Sequence, residues 1–291
     1  MKTMNKRIEI LLIIALTGCV IARIQAQNLD EISKTVVFLR HDFVETVSNE
    51  KGTFEVWLKQ PNTNSFFPKI SSVSGTGFFV AHSNHLFLVT AKHVANDMRF
   101  SESDQVVIGM QNGKSVGFPI VLLRGANTND WIHHQKADVS ILPLDPPPQL
   151  IQSVLQQHFL TSSILEAGTN RPLRDVMLTI VGFPLGMGWG QDTEGDFIPL
   201  TRKTRAASGF INGGAQFLLE DPSVQGYSGA PIFDLAEPLH TTVVYMAAGR
   251  SPACFGLISS TFSDNTGGKM GAVVPTKFIL ELISGYENSH P

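Results

Sequence analysis

The stretch GYSGAP (226–231) sets a serine between two glycines, directly before the apolar pair Ile232 and Phe233. Small residues on both sides of Ser228 favour a sharp turn, which can present the serine hydroxyl and the neighbouring backbone amides on one surface. The same stretch is also typical of an ordinary turn. A serine hydroxyl is a weak nucleophile at neutral pH, so it needs an imidazole to accept its proton. A catalytic interpretation therefore requires a base, and an acid that orients the base, elsewhere in the chain.

Two other stretches offer these groups. In VTAKHV (89–94), His93 follows an apolar strand and a small-residue turn, where a rigid sheet can deliver a side chain to a cleft. In ADVSIL (137–142), Asp138 opens a strongly apolar strand, so we expect a partly buried carboxylate that needs a partner. Each residue also has an ordinary interpretation, as a loop histidine or a strand-start aspartate.

Short apolar runs rich in β-branched and aromatic residues recur along the chain, separated by Gly, Asn, Asp and Pro. Such runs indicate strands, and many short strands without alternating helices indicate an all-β sandwich or barrel. The predicted strands are 34–39, 54–58, 75–82, 86–90, 105–109, 116–123 and 139–144, then 176–183, 205–211, 215–220, 230–233, 241–248, 254–260 and 271–274. Between the two sets, residues 145–163 begin with a proline run and continue with apolar residues at helical spacing, which predicts a helical connector. A C-terminal helix is predicted after Pro275.

The three candidate residues follow one another in the order His93, Asp138, Ser228. In this order VTAKHV, ADVSIL and GYSGAP resemble the three motifs of the trypsin-like (chymotrypsin-fold) serine peptidases, and they are most similar to the disulfide-free bacterial HtrA-like branch. Four further stretches resemble strands of that branch: SGTGFFV (74–80), IVGFPLG (180–186), CFGLISS (254–260) and GAVVPTKFI (271–279). The resemblance extends from about residue 34 to 287.

The resemblance implies an all-β fold of two antiparallel β-barrels, with an inter-barrel helical connector, a C-terminal helix and the site in the cleft between the barrels. It places the N-terminal barrel at residues 31–145, the connector at 146–170, and the C-terminal barrel with its closing helix at 171–291. Members of the HtrA-like branch normally continue into a PDZ domain, and we expect none in this chain. The resemblance implies no cofactor, and a protein or peptide as the substrate.

The resemblance also implies a role for each residue of the site. His93 is the general base, Asp138 the acid that orients it, and Ser228 the nucleophile. The backbone amides of Gly226 and Ser228 form the oxyanion hole. The implied activity is that of a serine endopeptidase, which cleaves peptide bonds through an acyl-enzyme intermediate.

The stretch CFGLISS resembles the strand that lines the primary specificity pocket, so Ser259 and Ser260 are implied to bind substrate. Ser259 also falls where the family has a serine that supports the acid. The chain departs from the family at Ala230, where glycine is usual two places after the nucleophile. It departs again at Pro222, six places before the nucleophile, where trypsin-type enzymes use an aspartate to hold Lys or Arg. This second departure favours a small or medium apolar residue on the acyl side of the cleaved bond.

The first 26 residues (1–26) predict a signal peptide. They begin with basic side chains and continue with an apolar run at 10–22, which is too short to span a bilayer comfortably. Cleavage after Ala26 and lipidation of Cys19, in the lipobox-like LTGC (16–19), are both open, and an uncleaved anchor helix is a third interpretation. Either kind of processing predicts an exported protein, in a bacterial periplasm or outside the cell, with membrane contact only if Cys19 is lipidated.

Composition narrows the functional classes further. A formal net charge of -3 lacks the polybasic footprint of a nucleic-acid binder. Cys19 and Cys254 are the only cysteines, so we expect no disulfide in the exported domain, and Cys254 is predicted to be a buried strand residue. His133 and His134 are adjacent, so in a strand they point to opposite faces, and no ligand cluster accompanies them. No metal site is predicted.

Two other functions remain as alternatives. GYSGA nearly fits the nucleophile turn of α/β-hydrolases, but that fold needs the order serine, acid, histidine, and only His240 and His290 follow Ser228. The second alternative is a catalytically silent or latent trypsin-like scaffold that binds or senses. A lost catalytic residue or a lost glycine before the serine would indicate it, and the sequence has lost neither.

Overall fold

In a computed structural model, the structure describes residues 29–61, 63–110, 113–125, 129–155, 158–169, 175–187, 198–235 and 252–290. Its strands are β1 (Val36–Val44), β2 (Thr46–Asn49), β3 (Gly52–Glu55), β4 (Trp57–Lys59), β5 (Phe66–Pro68), β6 (Ile70–His82), β7 (His85–Thr90), β8 (Asp104–Gly109), β9 (Ser115–Pro119), β10 (Ile132–His133), β11 (Ser140–Leu144), β12 (Leu160–Thr161), β13 (Met177–Gly182), β14 (Leu200–Arg205), β15 (Phe217–Leu219), β16 (Pro231–Asp234), β17 (Ala253–Ser263) and β18 (Lys269–Pro275). Its helices are α1 (29–34), α2 (Lys92–Asp97), α3 (Pro148–Leu150), α4 (Ser162–Ala167) and α5 (Lys277–Ser289), and α3 continues into a π-helical turn at Ile151–Leu155.

The first sheet has eight strands in the order β10-β11-β7-β6-β1-β8-β9, and β12 pairs with β6 off this path. The β12–β6 pairing is parallel, whereas β6 pairs with β7 and with β1 in antiparallel fashion. Four consecutive residues of β1, from Val36 to Leu39, are buried. Because successive strand side chains point to opposite faces, both faces of this strand are covered.

The second sheet has six strands in the order β14-β13-β16-β17-β18-β15. All of its pairings are antiparallel, and the β17–β18 pairing shifts register between Ile258 and Ser260. The shift is a β-bulge or similar irregularity, a feature that can redirect a side chain beside a site. Cys254 lies at the start of β17 and is fully buried, as predicted, and burial raises the pKa of its thiol to about 12.

Apolar packing and α5 join the two sheets. One buried cluster contains Phe38 of the first sheet and Phe183 beside the second, whose rings meet edge to face with centroids 5.5 Å apart. The helix α5 follows β18 and packs its buried residues, such as Phe278 and Ile283, into the same cluster. A hydrogen-bonded contact of 2.7 Å between His82 Nδ1 and Glu287 Oε1 fixes the far end of α5 to the first sheet.

Several predicted strands differ from those in the structure. The strand predicted at 205–211 is wrong, because the paired strand is Leu200–Arg205 and only isolated bridges follow, at Ala206 and Ile211. The strand predicted at 116–123 ends at Pro119, which has no N–H for the ladder, and residues 120–123 form a 3₁₀ turn. The strand predicted at 54–58 is divided between β3 and β4, which belong to two different hairpins.

Some predicted features lie outside the described residues: the signal peptide at 1–26 with Cys19, the strand at 241–248, and His240. Among the residues that are described, no helix combines the length and the apolar character that a membrane crossing requires. The predicted domain boundaries stay predictions.

Candidate active site

The end of strand β7 positions His93. Thr90 closes the strand and donates its hydroxyl to the backbone carbonyl of Thr76 at 2.7 Å. Ala91 is buried and extended, and the chain then turns into the short helix α2. Val94 and Ala95 are buried on the inner side of α2, while the His93 side chain keeps 49% of its surface exposed. The apolar residues therefore hold the helix and leave the imidazole half-exposed.

Strand pairing brings Asp138 to His93. In the antiparallel pair β7–β11, Ser140 lies opposite Thr90, so the residues just before Ser140 run beside those just after Thr90. One carboxylate oxygen, Asp138 Oδ2, lies 2.8 Å from His93 Nδ1. The other, Oδ1, accepts the backbone N–H of His93 at 3.0 Å. The carboxylate thus fixes both the ring and the backbone of His93.

Ser259 supplies a third hydrogen bond to this carboxylate. Its hydroxyl donates to Asp138 Oδ2 at 2.6 Å, across 121 positions of sequence. Ser259 lies where the β17–β18 register shifts, and it is 4% exposed. The irregularity in β17 therefore coincides with the residue that reaches across to the first sheet.

The contact between His93 and Asp138 favours the charged form of each residue. The hydrogen bond that His93 donates to Asp138 raises the pKa of His93 above its usual value, and this outweighs the opposing effect of burial. Burial pushes the pKa of Asp138 up, but the hydrogen bonds from His93 and Ser259 outweigh it and leave that pKa lowered. A carboxylate can only accept, so Nδ1 of His93 carries the shared proton and Nε2 is left as the basic atom.

Ser228 lies in a turn that packs against the same strand ends. Its backbone carbonyl accepts the N–H of Thr76 at 2.8 Å, and Gly229 N–H donates to Ile258 O at 2.7 Å. Gly229 has φ +85°, and a Cβ there would lie 2.0 Å from Thr76 O and 2.3 Å from the Thr90 hydroxyl. Only glycine fits this approach, which brings the serine turn against the strand end that leads into His93. Among the hydrogen bonds of the described residues, none joins the His93 ring to Ser228.

Two backbone amides of this turn, those of Gly226 and Ser228, have no protein acceptor within the described part of the chain. Gln225 O accepts Leu185 N–H at 2.6 Å, and Tyr227 O accepts Ala230 N–H at 2.8 Å. In a trans peptide the N–H points opposite to the C=O, so the amides that follow these carbonyls, those of Gly226 and Ser228, point away from those donors. Within the described part of the chain, neither amide donates to a protein acceptor. Two unused N–H groups beside a serine hydroxyl suit a developing oxyanion.

Thr76 is a residue that sequence reasoning missed. It lies in β6, is fully buried, and its hydroxyl donates to Gly226 O at 2.7 Å while accepting Phe183 N–H at 3.1 Å. With its own N–H bonded to Ser228 O, it connects the first sheet to the serine turn. The available signal was its place between two glycines, directly before the apolar run Phe78–Val80. One of them, Gly75, would place a Cβ 2.7 Å from Val94 on the helix of His93.

Ser260, His133 and His134 are the remaining residues that the sequence singled out. Ser260 is exposed on β17, directly after Ser259. His133 contacts Ser140 Oγ at 2.6 Å, whereas His134 lies 3.1 Å from Glu281 Oε2, so the two rings serve different neighbours. In the described residues no three His, Cys, Asp or Glu side chains are grouped as metal ligands would be.

Comparison with known proteins identifies the fold. No protein-family model matches the chain, and no curated protein matches its sequence significantly. A solved structure of a serine-to-alanine form of the HtrA-type protease AlgW, with a decapeptide, matches at a TM-score of 0.51 and 15% identity, over 92% of this chain and 68% of that chain. A serine endoprotease from Yersinia pestis matches at a TM-score of 0.48 and 13% identity, over 90% of this chain and 65% of that one.

The chain therefore has the all-β fold of trypsin-like serine proteases, similar to that of HtrA-type proteases, and the predicted fold class is confirmed. It spans about two thirds of the length of these two proteins. At such low identity the likeness concerns the fold.

Proposed function

We propose that this protein is a serine endopeptidase in which His93, Asp138 and Ser228 act as the catalytic triad. The observation that carries the proposal is the Asp138 carboxylate, which is held by His93 Nδ1, His93 N–H and Ser259 at 2.6–3.0 Å. Such a carboxylate fixes the tautomer of the imidazole and stabilises the cation that forms during proton transfer.

The reaction uses each group in turn. His93 Nε2 takes the hydroxyl proton of Ser228 as Oγ attacks the peptide carbonyl carbon. The oxyanion of the tetrahedral intermediate accepts hydrogen bonds from the amides of Gly226 and Ser228. His93 then gives the proton to the leaving amine, the C–N bond breaks, and the acyl-enzyme remains. Water, deprotonated by the same imidazole, releases the acid and regenerates Ser228.

The neighbourhood of the serine turn supports a small or medium apolar residue on the acyl side of the cleaved bond. The Thr261 hydroxyl donates to Ser223 O at 3.0 Å, so it joins β17 to the segment that leads into the serine turn. Asp221, the nearby acid, pairs with Arg202 at 3.2 Å, and Arg202 also donates to Pro222 O. The pairing of Asp221 with Arg202 disfavours a long basic side chain at this position.

A labelling experiment tests the proposal. The purified protein is treated with a fluorophosphonate probe, beside Ser228→Ala and His93→Ala variants of confirmed fold. We expect labelling of the parent protein only, because the probe requires an activated serine. Labelling that survives in Ser228→Ala would remove the nucleophile assignment.

A latent scaffold is the second candidate, because no hydrogen bond among the described residues joins the His93 ring to Ser228. The absence is compatible with both functions, since catalytic hydrogen bonds are often long in ligand-free enzymes and shorten when substrate binds. The same probe separates the two functions. A well-folded parent protein that never reacts, even in the presence of peptides, would identify the silent scaffold.

The place of action is a further part of the proposal. We propose export, with the mature chain in the periplasm or outside the cell, or anchored through a lipid on Cys19. The basic start and the short apolar run at 10–22 support it. Mass spectrometry of the mature N-terminus distinguishes a chain that begins at Gln27 from a chain that begins at a lipidated Cys19. A chain that still begins at Met1 in the exported fraction of the cell would contradict both.

A further inference from the structure

The turn at 134–139 joins strand β10 to strand β11 and carries Asp138, the acid of the candidate site. His134 begins the turn, and its backbone N–H donates to Val139 O at 3.0 Å. Within the turn, Val139 N–H donates to Ala137 O at 2.9 Å. These two bonds close the loop of backbone from which the Asp138 side chain projects.

The imidazole of His134 folds back onto the same turn. Its Nδ1 accepts the backbone N–H of Lys136 at 3.1 Å and that of Ala137 at 3.0 Å. Ala137 is the residue directly before Asp138. Asn and Asp often fix turns in this way, with a side-chain oxygen that bonds the backbone about two residues further on. Here a ring nitrogen makes the equivalent bonds and holds the backbone that leads into Asp138.

The contacts of His134 also define its tautomer. Two backbone donors point at Nδ1, so this nitrogen presents its lone pair and the ring proton is on Nε2. Nε2 lies 3.1 Å from Glu281 Oε2 of helix α5 and donates to it. The ring also packs on Phe278 of α5, with centroids 4.7 Å apart. Helix α5 therefore fixes the orientation of the ring whose other nitrogen supports the turn.

A lysine beside His93 holds His134 from another side. Lys92 directly precedes His93 in helix α2, and its Nζ donates to His134 O at 3.4 Å. With this bond, the backbone N–H, the backbone carbonyl and both ring nitrogens of His134 each have a partner, and only 12% of the side chain is exposed. The complete pairing connects helices α2 and α5 to the turn that carries Asp138.

We propose that His134 is a positioning residue, whose Nδ1 holds the turn at 134–139 in the shape that aims the Asp138 carboxylate at His93. The inference rests on the proposed function, in which Asp138 is the acid that orients the base. His134 acts through the backbone that carries Asp138, since in the described part of the chain it makes no hydrogen bond to His93 or Ser228. A displacement of about 1 Å in an active site can cost about 100-fold in rate.

Substitutions at His134 separate the acceptor from the ring. His134→Phe keeps an aromatic ring against Phe278 but removes the acceptor for the two backbone N–H groups. His134→Asn loses the ring but keeps an acceptor, because Oδ1 of Asn is bonded to Cγ as Nδ1 of His is. Glu281→Ala is a milder second variant. Glu281 is 56% exposed, so its removal leaves the core intact and only frees Nε2 of the ring.

A contact of the same kind supplies the matched control. His82 also contacts a glutamate of α5, Glu287, at 2.7 Å. His82 lies at the end of β6, before β7 begins, whereas His93 follows the opposite end of β7. His82→Phe therefore removes a histidine–glutamate contact with α5 but leaves the turn of Asp138 unaltered. Far-ultraviolet circular dichroism and thermal unfolding verify that each variant is folded.

Steady-state kinetics with a peptide substrate and nuclear magnetic resonance titration of the His93 ring are measured for every protein. We expect His134→Phe to lower kcat about 10–100-fold, with KM changed by less than about 3-fold. The pKa of His93 should fall toward its usual value of about 6.5, because the Asp138 carboxylate no longer holds Nδ1. Glu281→Ala should change kcat and this pKa in the same directions by smaller amounts. His134→Asn should recover most of both, and His82→Phe should match the parent protein.

Three results would overturn the proposal. The first is a folded His134→Phe variant with the kcat and the His93 titration of the parent protein. The second is an equal loss in His134→Phe and His134→Asn, which would identify packing against α5 as the contribution of the ring. The third is an equal loss in His82→Phe. A parent protein that cleaves no peptide would instead contradict the proposed function, and the His93 titration, which needs no turnover, would still decide the role of His134.

Discussion

The two halves of the candidate active site are held in different ways. On the acid side, side-chain atoms make the decisive contacts: Asp138 accepts from the His93 ring and from the Ser259 hydroxyl. On the serine side, backbone geometry holds Ser228, through the carbonyl that accepts Thr76 N–H and through Gly229 at φ +85°. Replacing one functional group should therefore disturb the geometry of the acid side, whereas a change in the strand beneath Ser228 should disturb the geometry of the serine turn.

The largest effect should come from the acid side. Asp138→Asn keeps the size of the side chain but offers an amide N–H in place of one acceptor, which favours the wrong imidazole tautomer. We expect kcat/KM for a peptide substrate to fall by about 10⁴-fold with thermal stability little changed. Asp97→Asn is the control, because Asp97 acts on the pKa of His93 only through space. Equal losses in the two variants would contradict a specific role for Asp138.

A change beneath the serine turn should affect both stability and rate. Thr76→Val removes the hydroxyl that bonds Gly226 O and Phe183 N–H, leaving two buried polar groups without it. We expect the free energy of unfolding to fall by about 1–3 kcal/mol. We also expect kcat to fall by about 10–100-fold, because the amides proposed to bind the oxyanion lose their support. Thr76→Ser keeps the hydroxyl and should restore most of both. Denaturant unfolding and steady-state kinetics measure these quantities, and full activity in Thr76→Val would contradict the role.

A third change tests whether Thr261, beside the serine turn, affects substrate preference. Thr261→Gly removes the hydroxyl that bridges to Ser223 O, and so opens the space between β17 and the turn. We expect kcat/KM for substrates with leucine or phenylalanine on the acyl side to rise about 10-fold relative to alanine. Thr261→Ser, which retains the bridge, should keep the parent preference. A peptide-library cleavage profile that is identical for all three proteins would remove Thr261 from the pocket.

The smallest effect should come from Ser259→Ala. It removes one of the two side-chain donors that lower the pKa of Asp138, so that pKa rises and the carboxylate becomes a stronger acceptor for the imidazolium. Activity requires neutral His93, so in the parent protein it should rise with pH through a midpoint above about 6.5. In Ser259→Ala we expect a loss of a few-fold, because the carboxylate loses one of its supports, and a midpoint moved to higher pH. An acid limb that moves to lower pH would contradict this direction.

The fold could be predicted from local sequence patterns and from the order of the motifs. Apolar runs such as 139–144 predicted strands because their alternation and β-branched content have no helical counterpart. Asp138 and His93 could be assigned before the structure because each motif sits at a strand end. The order of the motifs, through a family resemblance, indicated that those ends meet. The pairing of Ser140 with Thr90 supplies the physical reason.

What the sequence did not reveal depends on tertiary contacts. The hydroxyl of Thr76 looks ordinary in a strand, and its partners lie more than 100 positions away. Strand β14 is rich in charged residues and so lacks the apolar signal of a strand, although β13 pairs with it along its whole length. The hairpins β2–β3 and β4–β5 were predicted only as one strand at 54–58, because their strands have only three or four residues, too few for a pattern to be read.

A crystal structure of the phosphonate adduct would show directly whether Ser228 is the nucleophile. We expect a covalent bond from phosphorus to Ser228 Oγ. It places one phosphoryl oxygen about 2.7–3.1 Å from the amide nitrogens of both Gly226 and Ser228, with His93 still bonded to Asp138. An adduct on another residue, or a phosphoryl oxygen that contacts neither amide, would contradict it.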